Sequence, residues 1–164
     1  IEETAQMALR LDTAMAEVAL PTGQRDDVFA RAERAAWGET GEAYRPALLA
    51  DVPLIPAHTA LLTTTVYHGS NPPGIVDIVP SESPRPAGWT AALVIVDGLI
   101  GQAVDDGICQ RFSHVPGMPE LLLRAVSYRR YVNDLHSASR SNTRSHIERV
   151  EQHLVSRASA ILER

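Results

Sequence analysis

The stretch WTAALVIVDGLIGQAVDDGICQRF, residues 89–112, is the most apolar long segment of the chain. Its apolar side chains recur at the spacing of one face of a helix. That stripe consists of Leu93, Val96, Ile100, Val104 and Ile108. The pattern predicts one continuous helix at the centre of the fold. Gly98, Gly101 and Gly107 in the same segment predict close packing against neighbouring helices.

Amphipathic helices are predicted on both sides of this central segment. Their apolar positions follow the same spacing, and Asp26 or Asp27 is placed to cap the second of them. The predicted helices cover residues 4–20, 27–37, 41–50, 89–112, 120–136 and 142–163. The last two are expected to pack as an antiparallel hairpin. We therefore expect a single all-α domain over residues 1–164, a bundle of about five to seven helices, either complete or part of a longer chain.

Residues 57–88 are the least helical part of the sequence. Residues 57–68 are favoured as a further helix, because Pro56 suits a helix start and Gly69 a helix end. The β-branched and aromatic run at 63–67 is typical of a strand instead. The sequence does not decide between helix and strand for residues 57–80. Proline and glycine concentrate near residues 69–88, which predicts one long loop. Trp89 follows this loop and offers an apolar ring that suits a small-molecule pocket beneath it.

The composition excludes several kinds of chemistry. All 15 basic residues are arginines, so the chain has no lysine for a Schiff base, for pyridoxal phosphate or for a phosphate-binding loop. Cys109 is the single cysteine, which excludes an internal disulfide and a zinc cluster, and its apolar neighbours predict a buried, inert thiol. No apolar run approaches the ~20 residues of a membrane span. We expect a cytoplasmic bacterial protein with no cofactor and no bound metal.

Acidic and basic residues are unevenly distributed. The net charge is −5, yet residues 124–164 hold 8 arginines against 4 acids, which gives +4. Asp97 lies inside the apolar central segment and is predicted to pair with one of these arginines. At about 100° per residue, part of the basic set forms a polar ribbon on the last helix, and the rest shares a face of the helix before it. The predicted anion-binding residues are Arg129, His136, Arg149, His153 and Arg157.

The segment RSNTRSH, residues 140–146, places an arginine six residues before a histidine near the start of the last helix. In this spacing it resembles the HEPN ribonucleases, a family of all-helical dimers. The resemblance covers these seven residues. It implies a metal-independent ribonuclease in which Arg140 and His146 of both subunits meet at the scissile phosphate, with charge-stabilising and acid–base roles.

The sequence as a whole favours binding over catalysis, since it lacks a serine nucleophile motif and a dinucleotide fingerprint. We expect a non-catalytic interaction or ligand-sensing domain that self-associates or binds another protein. An anionic ligand or RNA is expected at the basic C-terminal face. The alternatives are the ribonuclease with Arg140 and His146, and the small-molecule pocket beneath the loop at Trp89.

Overall fold

A computed structural model describes residues 1–20, 22–23, 26–38, 51–61, 66–67, 70, 74–75, 78–135 and 141–162. Within these ranges the chain is mostly helical, which confirms the predicted helical bundle. The helices are α1 (Glu2–Met15), α2 (Val28–Trp37), α3 (Trp89–Ile100), α4 (Ile108–Arg111), α5 (Met118–Leu135) and α6 (Ser141–Leu162). The strands are β1 (Leu54–Ile55), β2 (Val66–Tyr67), β3 (Gly74–Ile75) and β4 (Arg85–Pro86). The helix predicted over 41–50 lies outside the described residues.

Helix α3 lies at the centre of the bundle. Ten of its 12 residues are buried, so it is covered on all sides, as an apolar helix without a polar face must be. Helix α1 packs on one side of it, and α5 and α6 pack on others. The contact with α1 uses small residues. Ala5 and Ala8 are fully buried, and a Cβ atom on Gly98 would lie 2.6 Å from the side chain of Ile1. The predicted close packing at Gly98 is therefore confirmed.

The prediction of one continuous helix over 89–112 is wrong beyond Ile100. Gln102 adopts a left-handed conformation, with φ of +55°. Its N–H donates to the carbonyl of Leu99, and the N–H of Ala103 donates to the carbonyl of Gly98 at 2.8 Å. These two hydrogen bonds around a left-handed residue form a Schellman motif, which ends a helix by satisfying its last carbonyl groups.

A second helix begins after this corner. The carboxylate of Asp105 accepts a hydrogen bond from the N–H of Gly107 at 2.7 Å, and the one-turn helix α4 follows directly. Gly101 is the C-terminal cap of α3, and Gly107 is the N-terminal cap of α4. Both glycines therefore mark helix ends, where the sequence had predicted contacts between helices.

The prediction of a helix over 57–68 is also wrong for the residues described there. Strand β1 pairs antiparallel with β4, β2 pairs antiparallel with β3, and His58 bridges to Pro80. Side-chain acceptors favour this extended chain, since Ser81 Oγ accepts the N–H of Ala57 and Thr90 Oγ1 accepts the N–H of His58, each at 3.0 Å. The predicted loop near 69–88 thus includes β3, β4 and the bridge at Pro80.

The two long C-terminal helices form the predicted antiparallel hairpin. Arg130 on α5 pairs with Glu151 on α6, and Asp134 on α5 pairs with Arg144 on α6 at 3.1 Å. A later position on α5 therefore faces an earlier position on α6. The predicted cap of α2 is confirmed as well, because the carboxylate of Asp27 accepts two backbone N–H groups in the first turn.

Charged side chains enter the interior beside Trp37 at the end of α2. The guanidinium groups of Arg85 and Arg124 lie 5.2 and 4.4 Å from the centre of its ring. Arg85 pairs with the buried carboxylate of Glu33, and Arg124 pairs with the buried carboxylate of Glu120. Arg85 and Arg124 are thus structural residues of the interior. Each pairs with a buried carboxylate and stacks on the ring of Trp37.

Candidate ligand-binding site

The residues predicted for a ribonuclease are described only in part. Arg140 lies outside the described residues, as does His136 of the predicted anion-binding set. His146 lies in the second turn of α6 and is half-buried. The arrangement of Arg140 and His146 therefore stays a prediction.

Trp89, the residue predicted to line a pocket, lies in the first turn of α3 and is fully buried. Its ring meets the rings of Trp37 and Tyr128 edge-on, with centroids 5.2 and 6.1 Å away. Aromatic pairs prefer this geometry, which adds to the free energy gained by burying the rings. The three rings fill the interior between α2, α3 and α5.

Two of the predicted anion-binding arginines make contacts within the chain. Arg129 on α5 donates two hydrogen bonds, of 2.6 and 2.5 Å, to the carboxylate of Asp97 on α3. This confirms the pairing predicted for Asp97. Burial raises the pKa of the Asp97 carboxyl, and the charge of Arg129 opposes that rise. Arg149 on α6 donates to the carbonyl of Leu99 at 2.9 Å, in the last turn of α3.

The other two predicted residues lie further along α6 and differ in their surroundings. His153 Nδ1 is 3.6 Å from a carboxylate oxygen of Asp106. Arg157 has no carboxylate oxygen within 4 Å in the part of the chain that the structure describes, and its nearest side-chain acceptor is Gln110 Oε1 at 3.5 Å. Arg157 also borders a cavity.

The cavity lies between α4, the start of α5 and the C-terminal half of α6, and its volume is about 240 Å³. Its floor is apolar and buried. Cys109, Met118, Leu122 and Leu154 form this floor, and none of them is more than 4% exposed. The rim carries both polar and apolar side chains, among them Gln110, Ser113, Arg157, Ala158 and Ile161.

The cavity follows from the lengths of the helices around it. The apolar stripe of α6 continues at helical spacing through Leu154, Ala158 and Ile161. The facing helix α4 has only four residues, whereas α6 has 22. The short helix α4 therefore leaves the last turns of α6 incompletely covered, and Ile161 stays 48% exposed.

The charge of Arg157 acts on the cavity wall. Burial raises the pKa of the Cys109 thiol, and Arg157 is the largest influence that opposes this rise. The thiol is buried, as predicted, and stays protonated at neutral pH. A cation thus faces an apolar space that holds no thiolate.

The cavity suits a ligand that combines an apolar body with one negative charge. Its floor residues on α5, Met118 and Leu122, were not singled out in the sequence, because nothing there shows where α3 ends and how far α4 reaches.

Within the described ranges, no three His, Cys, Asp or Glu side chains are grouped closely enough to hold a metal ion. None of the helices in those ranges is long and apolar enough to cross a bilayer.

Comparison with known proteins adds no functional assignment. No protein family matches the chain, and no similar protein is found among curated sequences or among solved structures.

Proposed function

We propose that this chain is a non-catalytic ligand-sensing domain whose ligand binds in the cavity between α4, α5 and α6. The observation that carries this proposal is the volume of about 240 Å³ over a buried apolar floor. The cavity opens to solvent along its rim, where Ser113 and Ile161 are exposed, so a ligand can reach the floor. An engineered apolar cavity of about 150 Å³ binds benzene, so a cavity of this size has room for a small ligand.

The chemistry of the wall supports binding over catalysis. Cys109 is the nucleophile on the cavity floor, and burial keeps it as a thiol, which is a poor nucleophile. Arg157 supplies a guanidinium group, which binds anions through its N–H groups and does not serve as a general acid or base. Gln110 and Ser113 add neutral hydrogen-bonding groups at the rim. Such a wall orients a ligand without activating it.

The position of the cavity between three helices supports a sensing role. The lining residues come from three helices, so a bound ligand stabilises the packing of α4 against the α5–α6 hairpin. Self-association, the other expectation from the sequence, receives no support from the small residues at Ala5, Ala8 and Gly98. These residues are already used in the contact between α1 and α3.

The experiment introduces a larger side chain into the cavity and measures whether ligand binding is lost. Ala158 lines it and is half-buried on α6, so Ala158→Phe places a ring inside. The matched control is Ser159→Phe, which adds the same ring at an exposed position one residue further along. Calorimetric titration with 1-octanol and with octanoate measures binding, and the rate of Cys109 alkylation by iodoacetamide reports occupancy of the cavity.

We expect saturable binding to the wild type and to Ser159→Phe, with slower alkylation of Cys109 in both when a probe is bound. Ala158→Phe is expected to bind at least about tenfold more weakly while it melts no lower than Ser159→Phe. Native mass spectrometry of the same samples reports the subunit count and any retained ligand. If neither probe binds the wild type and alkylation is unchanged, the proposed function is wrong.

A further inference from the structure

The rim of the cavity carries a positive charge that the described part of the chain does not neutralise. Among the described residues, the side-chain acceptor recorded for Arg157 is the neutral amide of Gln110, at 3.5 Å. The predicted anion-binding residues before it on the hairpin have other partners, since Arg129 pairs with Asp97 and Arg149 donates to a backbone carbonyl. Among the members of that set on the described helices, Arg157 is therefore the one placed to take an external anion.

The charged group of the wall lies at the rim, and the buried floor is apolar. Arg157 and Gln110 stand together at the rim, whereas Met118, Leu122 and Leu154 form the buried floor. A ligand that matches this arrangement has its charge at one end and a hydrocarbon body at the other. A guanidinium group pairs well with a carboxylate, because its N–H groups match the two oxygens.

Building on the proposed function, we infer that the ligand is a small monocarboxylate with a hydrocarbon chain of about eight carbons. The carboxylate binds Arg157 and the Gln110 amide, and the chain lies on Met118, Leu122 and Leu154. The size follows from the volume. If about 150 Å³ holds the six carbons of benzene, then 240 Å³ holds about ten non-hydrogen atoms, the number in octanoate.

The experiment compares head groups on a constant chain. Calorimetric titration measures the affinities of octanoate, 1-octanol and octylamine for the wild type and for Arg157→Gln. Arg144→Gln is the matched control, since Arg144 is an exposed arginine of the same helix that pairs with Asp134. Melting followed by circular dichroism confirms that each variant is folded.

We expect the wild type to bind octanoate at least about tenfold more tightly than 1-octanol, with octylamine weakest. Arg157→Gln should bring octanoate and 1-octanol within about threefold of each other, and Arg144→Gln should behave as the wild type. Shortening the chain from eight to four carbons should weaken binding about fourfold for each methylene, and chains longer than eight should gain less per methylene.

The outcomes separate this inference from the proposed function. If 1-octanol binds the wild type as tightly as octanoate does, the inference that the ligand carries a carboxylate is wrong. The proposal that the cavity binds a ligand is then unaffected. If Arg157→Gln leaves the preference for octanoate intact, Arg157 is not its anchor. If none of the three probes shows saturable binding, both the inference and the proposed function are overturned.

Discussion

Asp12 on α1 makes the stability of the fold depend on pH. Its carboxylate accepts a hydrogen bond of 2.8 Å from the N–H of Gly88, at the start of α3, and so joins two helices of the core. Burial raises the pKa of Asp12 from the ordinary value of 3.8 to about 6, although the Gly88 hydrogen bond opposes the rise. The folded protein therefore holds a proton on Asp12 more tightly than the unfolded chain does.

The sign and the size of the effect follow from this difference in pKa. The stability that the neutral carboxyl confers is fully present below about pH 4, is lost as the pH rises from about 4 to about 6, and stays lost above that. A difference of about two pKa units corresponds to about 3 kcal/mol in the free energy of unfolding. Asp12→Asn stays neutral, and its amide oxygen can accept the same N–H group.

Urea denaturation at pH 4, 5, 6 and 7 measures the effect as a difference between wild type and Asp12→Asn. We expect the variant to gain about 3 kcal/mol relative to the wild type across this range. Glu3→Gln is the matched control, because it replaces an exposed carboxylate of the same helix by an amide. A constant difference for Asp12→Asn, or one that grows in favour of the wild type, would show that desolvation does not dominate at this carboxylate.

Two further perturbations test the core and the corner after α3. Asp97→Ala leaves the guanidinium of Arg129 without its carboxylate, so we expect a loss of about 3 kcal/mol in the free energy of unfolding, and Arg129→Met in that background should restore part of it. Urea denaturation of the two single variants and the double variant measures this, and a loss below about 0.5 kcal/mol would contradict it. Gln102→Gly relieves a left-handed residue, so we expect a gain of about 0.5–1 kcal/mol by the same measurement, whereas a loss would mean that the Gln102 side chain has a role of its own.

Much of the helical framework was predictable from local patterns. The carboxylate of Asp27 caps α2 by accepting backbone N–H groups from the first turn of that helix. The apolar stripes of α5 and α6 identify the hairpin. Asp97 was predicted to pair with an arginine because an isolated carboxylate in an apolar helix is unfavourable. Each of these signals depends on residues a few positions apart or on one strong physical requirement.

The break in the central helix was not predictable from periodicity. Val104 and Ile108 continue the apolar stripe of α3 in the sequence, yet they reach the core from a turn and from a separate helix. Both are packed inside, so the pattern of burial is satisfied by either geometry. The left-handed Gln102 decides between them, and a glutamine gives no local signal for that conformation.

The site was only half predictable for a related reason. Helical angles placed Arg149 and Arg157 near one edge of α6, but an angle does not show which neighbour lies opposite. Arg149 meets the last turn of α3, where a carbonyl accepts its hydrogen bond, whereas Arg157 lies beyond that helix beside the cavity. The difference between a structural arginine and a candidate binding arginine is set by the position where α3 ends.

The four residues of α4 also determine how the cavity would open. A single helical turn has no stability of its own, because it makes too few hydrogen bonds to offset the cost of ordering it. The segment that carries Cys109 is held in place by its contacts with the hairpin, so we expect it to open locally more often than α3 or α5. Amide hydrogen exchange at residues 108–111 would then depend on occupancy, since a ligand on the cavity floor lengthens the lifetime of the closed state. The domain would thus convert the concentration of its ligand into the fraction of time that one short segment spends folded.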